Sequence, residues 1–258
     1  MSLLPPDLVH HVARELIERS RDIKHAPTLM REISPHPLSA SAFAELNLPL
    51  SQWQLGESTA SSLWQKLNPF AAKIQTVDLN QLNQPAQPAA ALVFAPLVLD
   101  AYPDVLDALK QLPNWFSDDG VLLFATLGAG GLPEIVNAQP EWLDLLSHWP
   151  NIMDAGARLQ DLRFGLPVLD VETVDLSYSD FDALWADVQA FVPSANNVTW
   201  RNRLHELYAQ GLRQISLQVM YGQVWQVQAP RHASDTHTVS LESLMAQLPH
   251  RKTFGDGS

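Results

Sequence analysis

The sequence predicts an α/β fold with a mostly parallel sheet, because two buried strands are joined by a helix. Ala90 to Ala95 and Val121 to Leu127 are continuous apolar runs, which are typical of strands covered on both faces. Pro103 starts a segment between them in which apolar residues recur at helical spacing. A strand, a helix and a second strand in this order form the unit from which parallel sheets are built.

The remaining elements can be placed in chain order. Residues 7–24 follow two prolines and carry neighbouring apolar stripes, which predicts an amphipathic helix. Five prolines interrupt residues 27–70, where the pattern predicts only short helices over 42–46 and 58–67. Further along, the apolar periodicity predicts strands over 74–79, 168–178 and 217–227, and helices over 141–149, 181–192 and 199–210.

Composition excludes several classes of function. The formal net charge is -12, and the 16 Lys and Arg residues form no basic run, so the chain does not resemble a nucleic-acid-binding protein. There is no cysteine, which excludes disulfides and Cys-ligated zinc and agrees with a reducing compartment. The longest apolar run, Ala89 to Leu99, is shorter than the about 20 residues of a membrane span. Met1 to Pro6 has no signal-peptide character, and we expect a cytoplasmic protein.

No pattern for a metal or a catalytic residue emerges. His232 and His237 flank Asp235, and His10 adjoins His11, but adjacent helical residues do not share a face and no H-E-x-x-H motif is present. There is also no G-x-S-x-G nucleophile elbow and no P-loop. We therefore predict no metal site and assign no catalytic residue.

The C-terminal strand, L-Q-V-M-Y-G-Q-V-W-Q-V at 217–227, is the most informative stretch. Its Tyr221-Gly222-x-x-Trp225 string follows a helix rich in Arg and Leu, and it closely resembles the end of the malonyl-acyl-carrier-protein O-methyltransferases of biotin synthesis. Residues 91–99, 119–127 and 167–172 resemble the fourth, fifth and sixth strands of that family in the same order.

The resemblance implies a class I methyltransferase-like fold: a doubly wound, mostly parallel seven-stranded sheet whose last strand is antiparallel. We expect one domain over 1–228, with a small helical insertion on the substrate side at 140–200. Residues 229–258 are polar and are expected to form a mobile tail.

The resemblance also implies a Gly-rich turn after the first strand, where the backbone must approach S-adenosylmethionine (SAM) closely. The family pattern is an apolar pair, an acid and then Gly-x-Gly-x-Gly. In residues 29–37, Ile33, Pro35 and Pro37 stand at the glycine positions and Arg31 stands near the acid. Proline has no N–H and fixes φ near about -65°, so the usual turn cannot form and SAM binding is doubtful.

Other positions in the family's pockets have counterparts here. The resemblance implies that Glu57 lies near the acid that bonds to the cofactor ribose and that Asp78, at the end of the third strand, stands where an acid or amide meets the adenine, although a solvated carboxylate at a strand end is the alternative for each. Asn196 and Asn197 lie in the segment that resembles the substrate side. Arg201 could hold a free carboxylate through paired hydrogen bonds, or it could be a solvated residue at a helix start. Tyr221 completes the candidate substrate site.

Two functions follow from these features. The first is a degenerate methyltransferase with weak or no SAM binding, which acts as a binding or regulatory partner of an acyl carrier protein or of a catalytic relative in biotin synthesis. The alternative is an active SAM-dependent O-methyltransferase that acts on the free carboxylate of a malonyl thioester, with positioning supplying most of the rate.

Overall fold

The computed structural model describes residues 4–23, 27–56 and 74–226. The tail predicted at 229–258 and the short helix predicted at 58–67 lie outside these residues, so both stay predictions. Among the described residues, no helix has the length and apolar composition needed to span a membrane.

A seven-stranded sheet forms the centre of the protein and confirms the predicted α/β class. Its order is β3-β2-β1-β4-β5-β7-β6. All neighbouring pairs are parallel except those of β7, which runs antiparallel to both β5 and β6. The strands are β1 (Met30–Ser34), β2 (Leu50–Leu55), β3 (Ile74–Val77), β4 (Ala90–Pro96), β5 (Phe116–Leu127), β6 (Gly165–Ser177) and β7 (Gln214–Trp225).

Helices connect the strands and cover the sheet. The α-helices are α1 (Pro6–Ser20), α2 (Leu79–Leu82), α3 (Val105–Ala108), α4 (Pro133–Ala138), α5 (Ile152–Asp161), α6 (Phe181–Phe191) and α7 (Val198–Ala209). Segments of 3-10 helix cover Ala40–Leu46, Leu99–Ala101, Leu109–Asn114, Pro140–Leu146 and Pro193–Ala195.

The two central strands are continuously apolar because both faces of the sheet are covered. Leu92 and Phe94 of β4 belong to a core that includes α1, whereas Val93 and Ala95 belong to a second core on the opposite face, formed with α3 and the 3-10 helix after it. Alternate side chains therefore enter different cores, and each must be apolar.

Some elements differ from the sequence prediction. The third strand ends at Val77, so its predicted last residues belong to the start of α2. Strands β1 and β2 lie in the stretch where prolines obscured the pattern. The region 140–200 contains helices, as predicted, but it also supplies β6 to the sheet.

Among the strands that the structure describes, β6 is at one edge of the sheet and pairs only with β7. Val168 and Val171 on it are exposed, at 58% and 40% of their surface. Acidic residues separate and follow these valines, namely Asp170, Glu172 and Asp175.

Candidate functional site

The carboxyl ends of the parallel strands are the expected ligand-binding edge, because open α/β sheets bind ligands there. A cavity of about 190 Å³ lies at this edge. Pro35 after β1 and Leu97 and Asp100 after β4 form one side of it, and the segments around Trp149 and Phe191 form the other. Drug-sized ligands occupy pockets of about 300–1,000 Å³, so this cavity suits a smaller molecule.

The turn that follows β1 is organised around the buried side chain of Glu32. Its Oε1 accepts a hydrogen bond from the backbone N–H of Leu38 (2.9 Å), and its Oε2 accepts one from Gln52 Nε2 (2.7 Å). Gln52 Nε2 also donates to the carbonyl oxygen of Leu38 (2.7 Å). Burial raises the pKa of the Glu32 carboxyl to about 7, against the opposing effect of the two hydrogen bonds.

The backbone of this turn has no free donor for a ligand. Pro35 and Pro37 have no N–H. The N–H of His36 donates to Ser34 Oγ (3.1 Å), and that of Leu38 donates to Glu32. Residues 35–38 therefore do not fit the cofactor contacts that a glycine-rich turn would make, since each of their N–H groups is either missing or already bonded.

The resemblance places Arg31 near the position of the family's acid. In the structure, the acidic side chain that organises this turn is the neighbouring Glu32. The guanidinium of Arg31 stacks over the ring of Trp53, 4.0 Å from its centroid, and donates to the carbonyl oxygen of Pro88 (2.7 Å). Burial lowers its pKa to about 10. Arg31 thus joins β1 to β2 and to the segment before β4.

Asp100 is an ionisable group that the sequence reasoning missed. Its Oδ1 accepts from Thr126 Oγ1 and from the N–H of Leu127, each at 3.0 Å. Its Oδ2 is buried without a hydrogen-bond partner in the described structure. Burial raises the pKa of the carboxyl to about 7. The available signal was an acid directly after the apolar run Ala89 to Leu99, near the end of a buried strand, where ligand-binding side chains are commonly found.

Comparisons with known proteins agree with this architecture. The malonyl-acyl-carrier-protein O-methyltransferase of Halorhodospira halophila is 27% identical, over 64% of this chain and 62% of that protein. The enzymes of the same name from Gallionella capsiferriformans and Laribacter hongkongensis are each 26% identical, over 71% and 82% of their lengths and 74% and 89% of this chain. The alignment thus spans less than two thirds of the Halorhodospira relative. No family model matches the sequence.

Two solved structures share the fold at low identity. A methyltransferase candidate from Bacillus halodurans superposes with a TM-score of 0.54 at 14% identity, covering 84% of this chain and 99% of that one. The YcgJ protein of Bacillus subtilis gives 0.55 at 12%, covering 85% and 100%. The protein has the class I methyltransferase fold. The predicted resemblance to the malonyl-acyl-carrier-protein O-methyltransferases is also confirmed.

Of the two residues predicted to bind the cofactor, the structure describes only Asp78. Glu57 lies outside the described residues. Asp78 is the N-cap of α2: its Oδ1 accepts from the N–H of Gln81 (2.8 Å), and Gln81 Oε1 accepts from the N–H of Asp78 (2.9 Å). This reciprocal capping box satisfies two helix-terminal donors, so Asp78 already has a structural role.

Three of the four predicted substrate residues gather at the start of α7. Asn197 caps this helix by accepting from the N–H groups of Thr199 and Trp200. Asn196 Oδ1 accepts from Gln189 Nε2 (2.6 Å). The side chain of Arg201 is exposed and donates to Asp182 Oδ1 (3.0 Å).

Tyr221 lies within β7 and packs against α1. Its ring is buried on the α1 face of the sheet, with the guanidinium of Arg19 4.1 Å from its centroid. Burial, followed by the nearby carboxylate of Glu172, raises the pKa of the Tyr221 hydroxyl. Its Oη nevertheless makes no hydrogen bond of normal geometry with the described residues.

The described residues also contain no group of three or more His, Asp or Glu side chains that could hold a metal ion. His11 of α1 lies 3.6 Å from Glu172 Oε1, and this contact accounts for one of the histidines that the sequence singled out. His232 and His237 fall outside the described part of the chain.

Proposed function

We propose that this protein is a degenerate member of the methyltransferase family, with weak or no SAM binding, which acts as a binding or regulatory partner linked to biotin synthesis. The link to that pathway rests on the resemblance to malonyl-acyl-carrier-protein O-methyltransferases. Their names describe what those proteins act on.

One observation carries the loss of cofactor binding. A phosphate or carboxylate at a turn after a strand is usually held by free backbone N–H groups. Here Pro35 and Pro37 have none, and the N–H groups of His36 and Leu38 are bonded to Ser34 and Glu32. To gain a single donor, a ligand would have to break either the contact of His36 with Ser34 or the contact of Leu38 with Glu32, and the second change leaves the buried Glu32 side chain with one bond fewer.

Charge gives little support to an acyl carrier protein as the partner. Acyl carrier proteins are acidic, so docking one on a chain of net charge -12 needs a basic surface. The arginines of α7 are already paired with acids, Arg201 with Asp182 and Arg203 with Glu141. Arg213 donates to the carbonyl oxygens of Tyr208 and Leu212. Their charges are therefore partly compensated.

The alternative is an active SAM-dependent O-methyltransferase that acts on the free carboxylate of a malonyl thioester. It is favoured by the extent of the match, which reaches 89% of this chain for the Laribacter relative. In that case Arg201 would have to exchange Asp182 for the carboxylate of the substrate.

Calorimetric titration of the full chain with SAM and with S-adenosylhomocysteine tests the proposal. The Laribacter relative, titrated in parallel, is the positive control. We expect binding at least tenfold weaker than that of the control, which corresponds to about 1.4 kcal/mol or more. A dissociation constant for SAM in the low micromolar range would contradict the hypothesis of a degenerate methyltransferase and support that of an active enzyme. A Pro35→Gly/Pro37→Gly double variant then tests whether the two prolines cause the weak SAM binding. If the variant binds SAM more tightly than the wild type, the prolines are the cause.

A further inference from the structure

Strand β6 is a long edge strand. It is the outermost of the strands that the structure describes, and it pairs along its length with β7. In an antiparallel pair, alternate residues direct their N–H and C=O groups away from the partner strand. Edge strands are commonly protected by being short or by carrying proline. β6 has 13 residues, and its proline, Pro167, lies near the start. The stretch from Val168 onward can therefore exchange backbone hydrogen bonds with a further strand.

The side chains of β6 carry negative charge on both faces of the sheet. Asp170 lies on the α1 face, 3.4 Å from Arg19, and Glu172 is on the same face because side chains alternate along a strand. Asp175, an odd number of residues away, lies on the opposite face. The strand contains no Lys, Arg or His. Arg19 balances Asp170 only in part, since an ion pair between exposed side chains is weak and exchangeable.

Two exposed valines lie among these acids. Val168 and Val171 are 58% and 40% exposed, so each offers apolar surface to a neighbouring strand. Side chains directly opposite each other on adjacent strands interact, and both apolar pairs and opposite charges stabilise the pairing. A strand that suits β6 therefore has apolar residues opposite the valines and basic residues opposite Asp170, Glu172 and Asp175.

We propose that β6 accepts an added strand from a partner protein, namely an extended segment that carries basic and apolar residues in this order. Charge complementarity selects this partner, because the net charge of -12 attracts a basic segment and the acids of β6 fix where it pairs. A second copy of the chain would place carboxylates opposite carboxylates and matches poorly. Strand addition to a sheet edge is a recurring way of binding extended peptides. The inference goes beyond the proposed function, because it requires neither SAM nor biotin synthesis.

The test is an NMR titration of the full chain with the synthetic peptide T-K-V-T-K-V-K-T-V at pH 7 and physiological ionic strength. Aligned antiparallel to residues 168–176, this peptide places its lysines opposite the three acids and its valines opposite Val168, Val171 and Val174. We expect saturable shifts of the backbone amide signals of residues 168–176 and slower hydrogen exchange at alternate amides there.

A second peptide, in which prolines replace the three threonines, separates strand pairing from charge. It keeps the lysines and valines, but proline removes N–H donors and does not fit a paired strand. We expect it to bind at least tenfold more weakly than the first peptide.

Two variants of the chain locate the site. A triple variant with amides in place of the acids of β6 should bind the first peptide at least tenfold more weakly, whereas the same changes at three exposed acids outside β6 should leave the affinity nearly unchanged, because distant charges are screened. The triple variant is Asp170→Asn/Glu172→Gln/Asp175→Asn, and its control is Asp7→Asn/Asp144→Asn/Glu206→Gln.

The second variant, Val171→Lys, guards against self-association of the triple variant. It adds a charge that repels the lysines of the peptide and removes an apolar contact, so binding should again weaken at least tenfold. Val198→Lys is the matched control, since Val198 of α7 is 71% exposed and lies outside β6.

Several results would overturn the proposal: no saturable binding of the first peptide, equal binding of the proline peptide, or equal affinity in wild type and both β6 variants. Slower exchange in β6 at rising protein concentration without peptide would assign the edge to a second copy of the chain and overturn it as well. Repeating the titration with SAM separates this proposal from the proposed function. If SAM binds tightly and the peptide still binds, the loss of cofactor binding is refuted while strand addition stands.

Discussion

Replacing Glu32 with Gln should change how the stability of the protein depends on pH. The carboxyl group of Glu32 is fully buried, and its pKa rises from the ordinary value of 4.5 to about 7 on folding. A group whose pKa is higher in the folded state stabilises the fold at low pH, and that contribution is lost as the pH rises through the folded-state pKa. Between pH 5 and pH 8, Glu32 should thus cost the wild type roughly 2–3 kcal/mol.

The Gln variant cannot titrate, so it escapes this loss, but it disturbs the hydrogen bonds of the turn. Gln52 Nε2 already donates to Glu32 Oε2 and to the carbonyl oxygen of Leu38. An amide nitrogen at position 32 would face that donor, which should cost about 1–3 kcal/mol at every pH. The variant should therefore be less stable than wild type at pH 5 and should approach or exceed it at pH 8.

Urea unfolding at several pH values measures this difference directly. Subtracting the variant from the wild type removes the contribution of other titrating groups, including Asp100, which remains in both. Glu45→Gln is the matched control, because Glu45 is an exposed residue paired with Arg21 and should shift stability by less than about 1 kcal/mol. If the wild type and the Glu32 variant differ by the same amount at pH 5 and pH 8, Glu32 does not titrate near neutrality and the reasoning fails.

Three other substitutions have definite expected outcomes. Gly222→Ala places a Cβ 2.2 Å from Cζ of the buried Phe124, so we expect a loss of about 1–3 kcal/mol or more in thermal unfolding, and an unchanged melting temperature would contradict the packing. Asp78→Ala removes the cap of α2 and should cost about 1 kcal/mol of stability; if Asp78 also meets the adenine, as the resemblance implies, the same change should abolish whatever SAM affinity remains. Tyr221→Phe removes a buried hydroxyl that lies near the Glu172 carboxylate but makes no hydrogen bond of normal geometry, and it should be neutral or stabilising in urea, so that destabilisation above about 1 kcal/mol would show that the hydroxyl is bonded to Glu172 in solution.

The sequence predicts a buried strand correctly where that strand consists of apolar residues. β4 and β5 are continuous apolar runs, and both lie where the sequence placed them. β1 is also buried along its whole length, but it reads Met-Arg-Glu-Ile-Ser. Arg31 and Glu32 tolerate burial only because Trp53, Gln52 and other residues distant in sequence stack on them or bond to them. No local pattern reveals such partners.

The residues of the candidate site were harder to predict because their contacts are made with residues in other elements or with the backbone of a helix end. The resemblance implies that Asp78 and Asn197 bind ligands, which stays a prediction, and the structure shows that both also cap helices through their side chains. The spacing of Asp78 and Gln81 is that of a capping box and could have indicated this role from the sequence. Asp100 was passed over because its hydrogen-bond partners, Thr126 and Leu127, lie in the next strand and no local pattern reveals them.

The exposed edge of β6 bears on the solubility of the protein. A long edge strand offers unpaired backbone groups to any similar strand, and Val168 and Val171 would favour such an association. Asp170, Glu172 and Asp175 oppose it, because two copies aligned edge to edge would bring carboxylates together without a basic residue of this strand to balance them. Neutralising these three acids should therefore make the protein more prone to associate through this strand.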